Sequence, residues 1–195
     1  MVTTGIILAG GRSSRMGAEK ALLSAGGEPL ILRAVNTLTP LCAKILISTN
    51  SPELFSAFNL TTVTDHTANL GPLAGIVSAL EQSETEANIV IAVDMPGVTT
   101  RFLSHLLEFF PRHSGVIPVS ETGLIQPLCG VYSASLLPAL KELLRSNRLA
   151  AAAVTDIADV LKVQVIPDTP GYSDEMFANL NTPADMEKWR KTTRP

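Results

Sequence analysis

The amino-acid sequence predicts an α/β fold built on a mostly parallel central sheet. Short apolar segments alternate with helical patterns along the chain, which is typical of βαβ units. The segment Ile89–Val93 is an unbroken apolar run, as expected of a parallel strand buried on both faces. Polar residues or glycines follow four successive apolar runs. Because ligands of such sheets bind beyond the carboxyl ends of the strands, this pattern predicts a shared cleft at that edge.

The predicted elements follow one another without an internal repeat or a long linker. The strands are Gly5–Leu8, Lys44–Ser48, Thr61–Thr64, Ile89–Val93, Gly115–Val119 and Val163–Ile166. The helices are Leu30–Leu38, Leu73–Gln82, Thr100–Phe109, Ser135–Arg145 and Pro183–Lys191. The last helix has a clear start, because Thr182 is a suitable N-cap and Pro183 is favoured at the first helical position. The Ser120–Gly123 segment indicates a turn that could join two antiparallel strands.

Composition argues against several classes of protein. A chain of 195 residues with 46% hydrophobic residues can form one domain, residues 1–195, with a sizeable core. A formal net charge of −3 argues against a general nucleic-acid surface. No stretch reaches the roughly 18 apolar residues of a membrane span, and Cys42 and Cys129 lie too far apart for a metal-spaced pair. We therefore expect a soluble, cytoplasmic protein with no nucleic-acid or membrane partner.

Residues 6–23, IILAGGRSSRMGAEKALL, form the segment with the most candidate ligand-binding residues. The Gly10-Gly11 pair lets the backbone approach a ligand closely, and successive amides can bind an anion. Arg12, Arg15 and Lys20 supply positive charge and donors suited to phosphate oxygens. The alternative is a basic surface loop between a strand and a helix. Neither the P-loop pattern nor G-x-G-x-x-G fits the spacing, so a different phosphate site is predicted.

Outside that loop, Asp94 is the strongest single candidate for a functional-site residue. It follows five apolar residues directly, so it is either an N-cap or a ligand for a hard cation. The next helix is predicted to start near Thr100, several residues later, which weakens the capping interpretation. Magnesium prefers oxygen ligands, often one or two carboxylates together with substrate phosphates. The sequence therefore favours Asp94 as a magnesium ligand opposite the basic loop.

Three further segments each have a structural and a ligand-binding interpretation. Asp65 follows a strand and either turns the backbone or contacts a ligand. The Gly71–Gly75 segment is either a plain helix start or a backbone against which a base could lie. Asn179 and Asn181 project to the same side of an extended chain, where their amides either bind a ligand or satisfy turn hydrogen bonds.

The residues Leu8–Leu23 resemble the signature L-A-G-G-x-S-x-R-M-G-x-D-K of the molybdenum cofactor guanylyltransferases (MobA-type), in the nucleotidyltransferase superfamily. Glu19 stands where that family usually has Asp. Gly71–Gly75, Asp94–Pro96 and Asn179–Pro183 are similar to the family's G-P-L-A-G, D-x-P and N-x-N-T-P segments. The resemblance implies a three-layer, Rossmann-like nucleotidyltransferase fold with helices on both faces of the sheet.

The resemblance also implies roles for individual residues. The implied catalytic residues are Arg15, Lys20 and Asp94, with Asp94 as the Mg²⁺ ligand. The implied nucleotide-binding residues are Leu8, Ala9, Gly10, Gly11, Lys20, Asn50, Asp65, Gly71, Pro72, Leu73 and Asp94. The implied molybdopterin-binding residues are Gln126, Asn179 and Asn181.

The activity implied by the resemblance is transfer of GMP from GTP to molybdopterin with release of pyrophosphate. The expected partners are GTP and molybdopterin, with other molybdenum cofactor biosynthesis proteins or acceptor molybdoenzymes as candidate protein partners. One alternative is a molybdopterin cytidylyltransferase or another small nucleotidyltransferase. By resemblance, cytidylyl-type enzymes favour L-A-A-G where this chain has Leu8–Gly11, so guanine is favoured. A second alternative is a non-catalytic nucleotide-binding module, and the oligomeric state stays open.

Overall fold

The computed structural model describes residues 1–10, 20–25, 27–64, 71–145, 164–166 and 173–192. The strands in these ranges are β1 (Thr3–Leu8), β2 (Ser24–Ala25), β3 (Glu28–Pro29), β4 (Lys44–Ser48), β5 (Thr61–Val63), β6 (Ala87–Ala92), β7 (Gly115–Pro118), β8 (Cys129–Ser133) and β9 (Gln164–Ile166). The α-helices are α1 (Leu30–Leu38), α2 (Pro72–Gln82), α3 (Thr100–Phe109), α4 (Leu137–Arg145) and α5 (Pro183–Thr192). Short 3₁₀-helices occupy Lys20–Leu22, Pro52–Phe58, Phe110–Arg112, Ala134–Leu136 and Asp174–Phe177.

The described strands form one large mixed sheet and a small hairpin. The seven-stranded sheet has the order β5-β4-β1-β6-β8-β7-β9, and β2 pairs with β3 separately. The pairs β4/β5, β1/β4, β1/β6 and β7/β9 are parallel. Strand β8 runs antiparallel to both neighbours, β6 and β7. The predicted α/β class with a mostly parallel central sheet is confirmed.

Helices cover both faces of the sheet. On β1, Ile6 packs with the buried side chains of α2 and α4, whereas its neighbour Ile7 packs with those of α1 and α3. The same division separates Val90 from Ile89 and Ile91 on β6. Successive side chains of a strand point to opposite faces, so continuous apolar runs supply both cores at once. The result is the three-layer arrangement that the family resemblance implies.

The main error in the predicted elements is β8. The predicted strands include none between Val119 and Val163, and Gly130 within β8 is a residue type that weakens a strand signal. In the structure a Cβ at Gly130 would lie 2.7 Å from the backbone oxygen of Val116, so the close approach of β7 requires glycine there. The predicted turn at Ser120–Gly123 is confirmed by the bond from the Gly123 amide to the Ser120 carbonyl, 2.8 Å.

The two-residue strands β2 and β3 were also not predicted, and other differences concern boundaries. The helices Leu30–Leu38 and Thr100–Phe109 have the predicted ends. The predicted helix Ser135–Arg145 instead begins as the 3₁₀-helix Ala134–Leu136 and continues as α4. Within the described part of the chain, no helix is both long and apolar enough to cross a membrane. The single-domain organisation and the cytoplasmic location stay predictions.

Candidate active site

The carboxyl ends of three neighbouring strands meet at one edge of the sheet. Leu8 at the end of β1 is paired with Ser48 of β4 on one side and with Ala92 of β6 on the other. The residues two positions beyond these three are Gly10, Asn50 and Asp94. Gly10 and Asn50 are exposed and Asp94 is half-buried. The polar strand endings therefore lie side by side, as expected for a ligand cleft in a parallel sheet.

Three of the predicted site residues are in direct contact at this edge. The Lys20 Nζ atom donates to Oδ2 of Asp94 at 2.5 Å and to Oδ1 of Asn181 at 2.5 Å. The side chains of Lys20 and Asp94 are only 15% and 20% exposed, so solvent screens this ion pair less than it would a pair on an open surface. We call these residues the Lys20–Asp94–Asn181 cluster. It joins a residue predicted for the nucleotide, the predicted metal ligand and a residue predicted for the acceptor.

The C-terminal segment reaches the cluster through a backbone bond. The Leu180 amide donates to the backbone oxygen of Asp94 at 3.0 Å. The Leu180 side chain is 2% exposed and anchors the segment in the core, while Asn179 and Asn181 on either side are exposed. This alternation is typical of an extended chain with one buried face. It places the Asn181 amide against the Lys20 ammonium group.

The loop after Asp94 packs closely against the backbone of Met176. A Cβ at Gly97 would lie 2.8 Å from both Cα and the backbone oxygen of Met176, so only glycine permits this approach. Thr99 is the N-cap of α3, since its hydroxyl accepts from the Phe102 amide at 3.2 Å. Asp94 therefore does not cap α3, as its distance from the predicted helix start indicated. Its carboxylate instead faces Lys20.

Helix α5 begins with a reciprocal cap directly after Asn181. The Asp185 amide donates to the Thr182 hydroxyl at 3.2 Å, and Oδ2 of Asp185 accepts from the Asn181 and Thr182 amides at 2.9 and 2.7 Å. The hydrogen bond with Thr182 is the main cause that lowers the pKa of Asp185, and the positive charge of Lys20 adds to it. Because the folded pKa is depressed, this cap stabilises the start of α5 above the usual Asp pKa. Its contribution is lost as the pH falls through the folded pKa.

The remaining predicted nucleotide residues lie at the starts and ends of neighbouring elements. Gly71 has φ 73°, which a residue with a Cβ adopts at a cost, and it precedes α2 with Pro72 at the first helical position. The side chain of Leu73 is 2% exposed and belongs to the core, as do those of Leu8 and Ala9. The side chains of these three residues are therefore not available to a ligand.

Gln126 lies on the connection between β7 and β8. Its amide donates to the Pro118 carbonyl at 2.9 Å, and its side chain lies 3.5 Å from the Leu124 carbonyl. Leu128, two residues on, accepts from the Ala92 amide at 2.8 Å, which brings this connection to the end of β6 that carries Asp94. The predicted residues Gly11, Arg15 and Asp65 lie outside the described residues.

Two residues near the cluster were not predicted. Asp185 had a usable signal, because a Thr followed three residues later by an acidic residue resembles a capping box. Arg33 had none, since a single arginine on an amphipathic helix is ordinary. Its Nε donates to the Pro96 carbonyl at 2.8 Å, so it contacts the loop that carries Asp94.

The chemistry of the cluster suits a hard cation. Its acceptors are carboxylate and amide oxygens, the ligand types of hard cations, and a bound cation would replace the Lys20 ammonium group at them. Within the described ranges, no group of three or more His, Cys, Asp or Glu side chains could hold a metal by itself. A site with one protein carboxylate fits magnesium that shares its remaining ligands with substrate phosphates and water.

Known proteins are similar to this chain in sequence. The family model described as the MobA-like NTP transferase domain matches residues 5–176. A protein from Pelotomaculum thermopropionicum named "Probable molybdenum cofactor guanylyltransferase" is 35% identical over 191 residues, covering 96% of this chain and 91% of that protein.

Solved structures share the fold. Molybdopterin-guanine dinucleotide biosynthesis protein A from Archaeoglobus fulgidus superimposes with a TM-score of 0.74 at 22% identity, covering 97% of each chain. The 2-C-methyl-D-erythritol 4-phosphate cytidylyltransferase from Thermus thermophilus gives a TM-score of 0.72 at 18% identity, covering 100% of each chain. The fold is therefore shared by guanine- and cytosine-linked proteins. By its sequence match over almost its full length, the chain belongs to the MobA-like nucleotidyltransferases and, within them, to the family of molybdenum cofactor guanylyltransferases.

Proposed function

We propose that this protein transfers GMP from GTP to the terminal phosphate of molybdopterin, with Mg²⁺, and releases pyrophosphate. The observation that carries the proposal is the Lys20–Asp94–Asn181 cluster, in which one ammonium group contacts a nucleotide-side carboxylate and an acceptor-side amide. Two anionic substrates must meet in this reaction. A cation held between their two sides lowers the repulsion between them.

The reaction needs no covalent intermediate on the enzyme. An oxygen of the acceptor phosphate attacks the α-phosphorus of GTP, and the bond from that phosphorus to the bridging oxygen of pyrophosphate breaks. Lys20 and Arg15 bind the triphosphate, helped by the backbone amides at Gly10 and Gly11. Asp94 is the protein ligand for Mg²⁺, which when bound neutralises charge on the phosphates. The chain's contribution is then positioning and electrostatic stabilisation.

We assign the other candidate residues to one or the other substrate. Asn50 follows β4 and Asp65 follows β5 in the sequence, and Gly71 with Pro72 begins α2; we assign these four residues to the nucleoside part of GTP. Gln126 and Asn179 lie on the two segments beside the end of β6 and are assigned to molybdopterin. The Gly10-Gly11 pair favours guanine over cytosine, because the corresponding loop of cytidylyl-type enzymes resembles L-A-A-G.

A pyrophosphate-release assay tests this proposal. Purified protein is supplied with molybdopterin and Mg²⁺, with GTP or CTP offered separately, and reactions without acceptor or with excess chelator serve as controls. We expect release with GTP that depends on the acceptor and stops when the metal is removed.

Each other outcome replaces one part of the proposal. Release with CTP alone would overturn the assignment of guanine, but it would leave the fold and the proposed role of the Lys20–Asp94–Asn181 cluster unchanged. Activity that survives complete removal of divalent metal would overturn the magnesium role of Asp94. Silence with both nucleotides, with an acceptor of proven quality, would favour a non-catalytic nucleotide-binding module.

A further inference from the structure

Arg33 makes two contacts that no site motif accounts for. It lies on α1, which carries none of the predicted site residues, and it is half-buried. Its Nε donates to the Pro96 carbonyl at 2.8 Å. Its guanidinium carbon lies 5.7 Å from the ring centroid of Trp189, which is within the range of a cation–π contact.

These two contacts join the two segments that form the cluster. Pro96 lies two residues after Asp94, on the loop that sets the position of its carboxylate. Trp189 lies on α5, the helix whose reciprocal cap begins at the amide of Asn181. One guanidinium group on a neighbouring helix therefore holds the loop of the predicted metal ligand and the helix behind the predicted acceptor ligand.

We propose that Arg33 is a positioning residue for the transfer reaction: through Pro96 and Trp189 it keeps Asp94 and Asn181 at the spacing in which Lys20 can bind both. The expected effect of Arg33 on turnover rests on the proposed function. Arginine suits the task because its planar group can stack on a ring with one face while an edge N–H donates a hydrogen bond. A lysine ammonium, which lacks a planar fork, would lose one of the two contacts.

Kinetic analysis of Arg33→Lys and Arg33→Met tests the proposal. Both variants should lower kcat between about tenfold and a hundredfold, because small displacements of positioned groups cost about that much. The loss should be larger in kcat than in the KM for GTP, since the proposed role of Arg33 acts through Pro96 and Trp189 and not through direct binding of GTP. Arg101→Met, at an exposed position of α3, is the matched control and should keep wild-type kinetics. Wild-type kcat in folded Arg33→Met would overturn the proposal.

Amide hydrogen exchange gives a second measurement that does not need the reaction. In Arg33→Met the Leu180 amide, which donates to the Asp94 carbonyl, should exchange about tenfold faster or more. The Ala92 amide, bonded to Leu128 on the other side of β6, should be unchanged. Equal acceleration at both amides would show that Arg33 only stabilises the whole fold, and would overturn the positioning role. If wild-type protein releases no pyrophosphate, the proposed reaction fails, and the exchange pattern still decides the role of Arg33.

Discussion

Lys20 is the residue at which the two sides of the candidate site meet. Its ammonium group has three donors, and two of them are used by Asp94 and Asn181. Lysine carries its charge on a flexible four-carbon stem, so this group can move from protein oxygens to a phosphate without a change in the backbone. Asp94, in contrast, is held by its backbone bond to Leu180 and by the packing of the loop that follows it.

Replacing Asp94 by asparagine tests the residue that carries the magnesium role. Asp94→Asn keeps the shape of the side chain and an oxygen acceptor for Lys20, but it removes the negative charge that a divalent cation needs. We expect kcat to fall by about a hundredfold or more, the scale at which a single electrostatic group acts in an active site. The melting temperature should change little.

The control for this substitution is Glu108→Gln. The Glu108 side chain is 70% exposed on α3 and lies 3.3 Å from Nδ1 of His105, so Glu108→Gln makes the same change of charge away from the candidate site. Turnover at the wild-type rate in a folded Asp94→Asn protein would contradict the metal assignment.

At the scale of elements, the segment 173–192 brings the acceptor-side residues to the sheet. Met176, Phe177 and Leu180 are buried, and Phe177 packs edge-to-face on Phe102 of α3 with ring centroids 5.7 Å apart. The segment therefore docks through apolar contacts, which are the main source of its stabilisation. Of its polar residues, Asn181 contacts Lys20, whereas Asp174 accepts from the Glu121 amide at 2.5 Å.

Two glycine substitutions separate the positioning of this segment from general stability. Gly97→Ala places a Cβ 2.8 Å from the backbone of Met176, and Gly130→Ala places one 2.7 Å from the backbone oxygen of Val116. Each should lower the free energy of unfolding by about 1–3 kcal/mol, the usual cost of overpacking. Only Gly97→Ala should also lower kcat, by about tenfold or more, because it shifts the Asp94 loop against the segment that carries Asn181.

Urea denaturation and steady-state kinetics on the two variants check this prediction. Activity must be measured where both proteins are folded, so that kcat refers to native molecules. Equal losses of kcat in Gly97→Ala and Gly130→Ala would show that the Gly97 contact has no special relation to the site.

At the scale of the whole molecule, two cores on opposite faces of one sheet enclose groups that would otherwise titrate. Burial raises the pKa of Cys129 from 9.0 to about 12 and that of Cys42 to about 11. A hydrogen bond with Thr3 partly offsets the effect at Cys42. Burial is also the main cause that raises the pKa of Tyr132, whose hydroxyl donates to the Pro127 carbonyl at 2.7 Å.

These shifts predict a loss of stability in alkaline solution. Between pH 9 and about 11 the unfolded chain releases thiol protons that the native protein retains, so the free energy of unfolding falls as the pH rises. Urea midpoints measured across this range should decline, and Cys129→Ala should show a shallower decline than wild type. An equal slope in both proteins would mean that the Cys129 thiol is not protected by the fold.

Much of the fold was predictable because its signals are local. The apolar run ending at Val93 and the amphipathic pattern of Leu30–Leu38 depend on side chains only a few residues apart. Lys20, Asp94 and Asn181 were predicted individually from their motifs. Strand β8 was not predicted, because its glycine is explained only by the backbone of β7 that packs against it.

The sequence by itself determined the α/β class and the residue types available for phosphate and metal chemistry, since these follow from short-range patterns, and its motifs resemble those of the family. Only the tertiary structure decided that Asn181 contacts Lys20, which lies 161 residues away along the chain. That contact depends on a backbone bond to Asp94 and on burial of the segment before it. The tertiary structure also decided the contacts of Arg33. A guanidinium that contacts a carbonyl and an indole ring leaves no repeat or motif in the sequence.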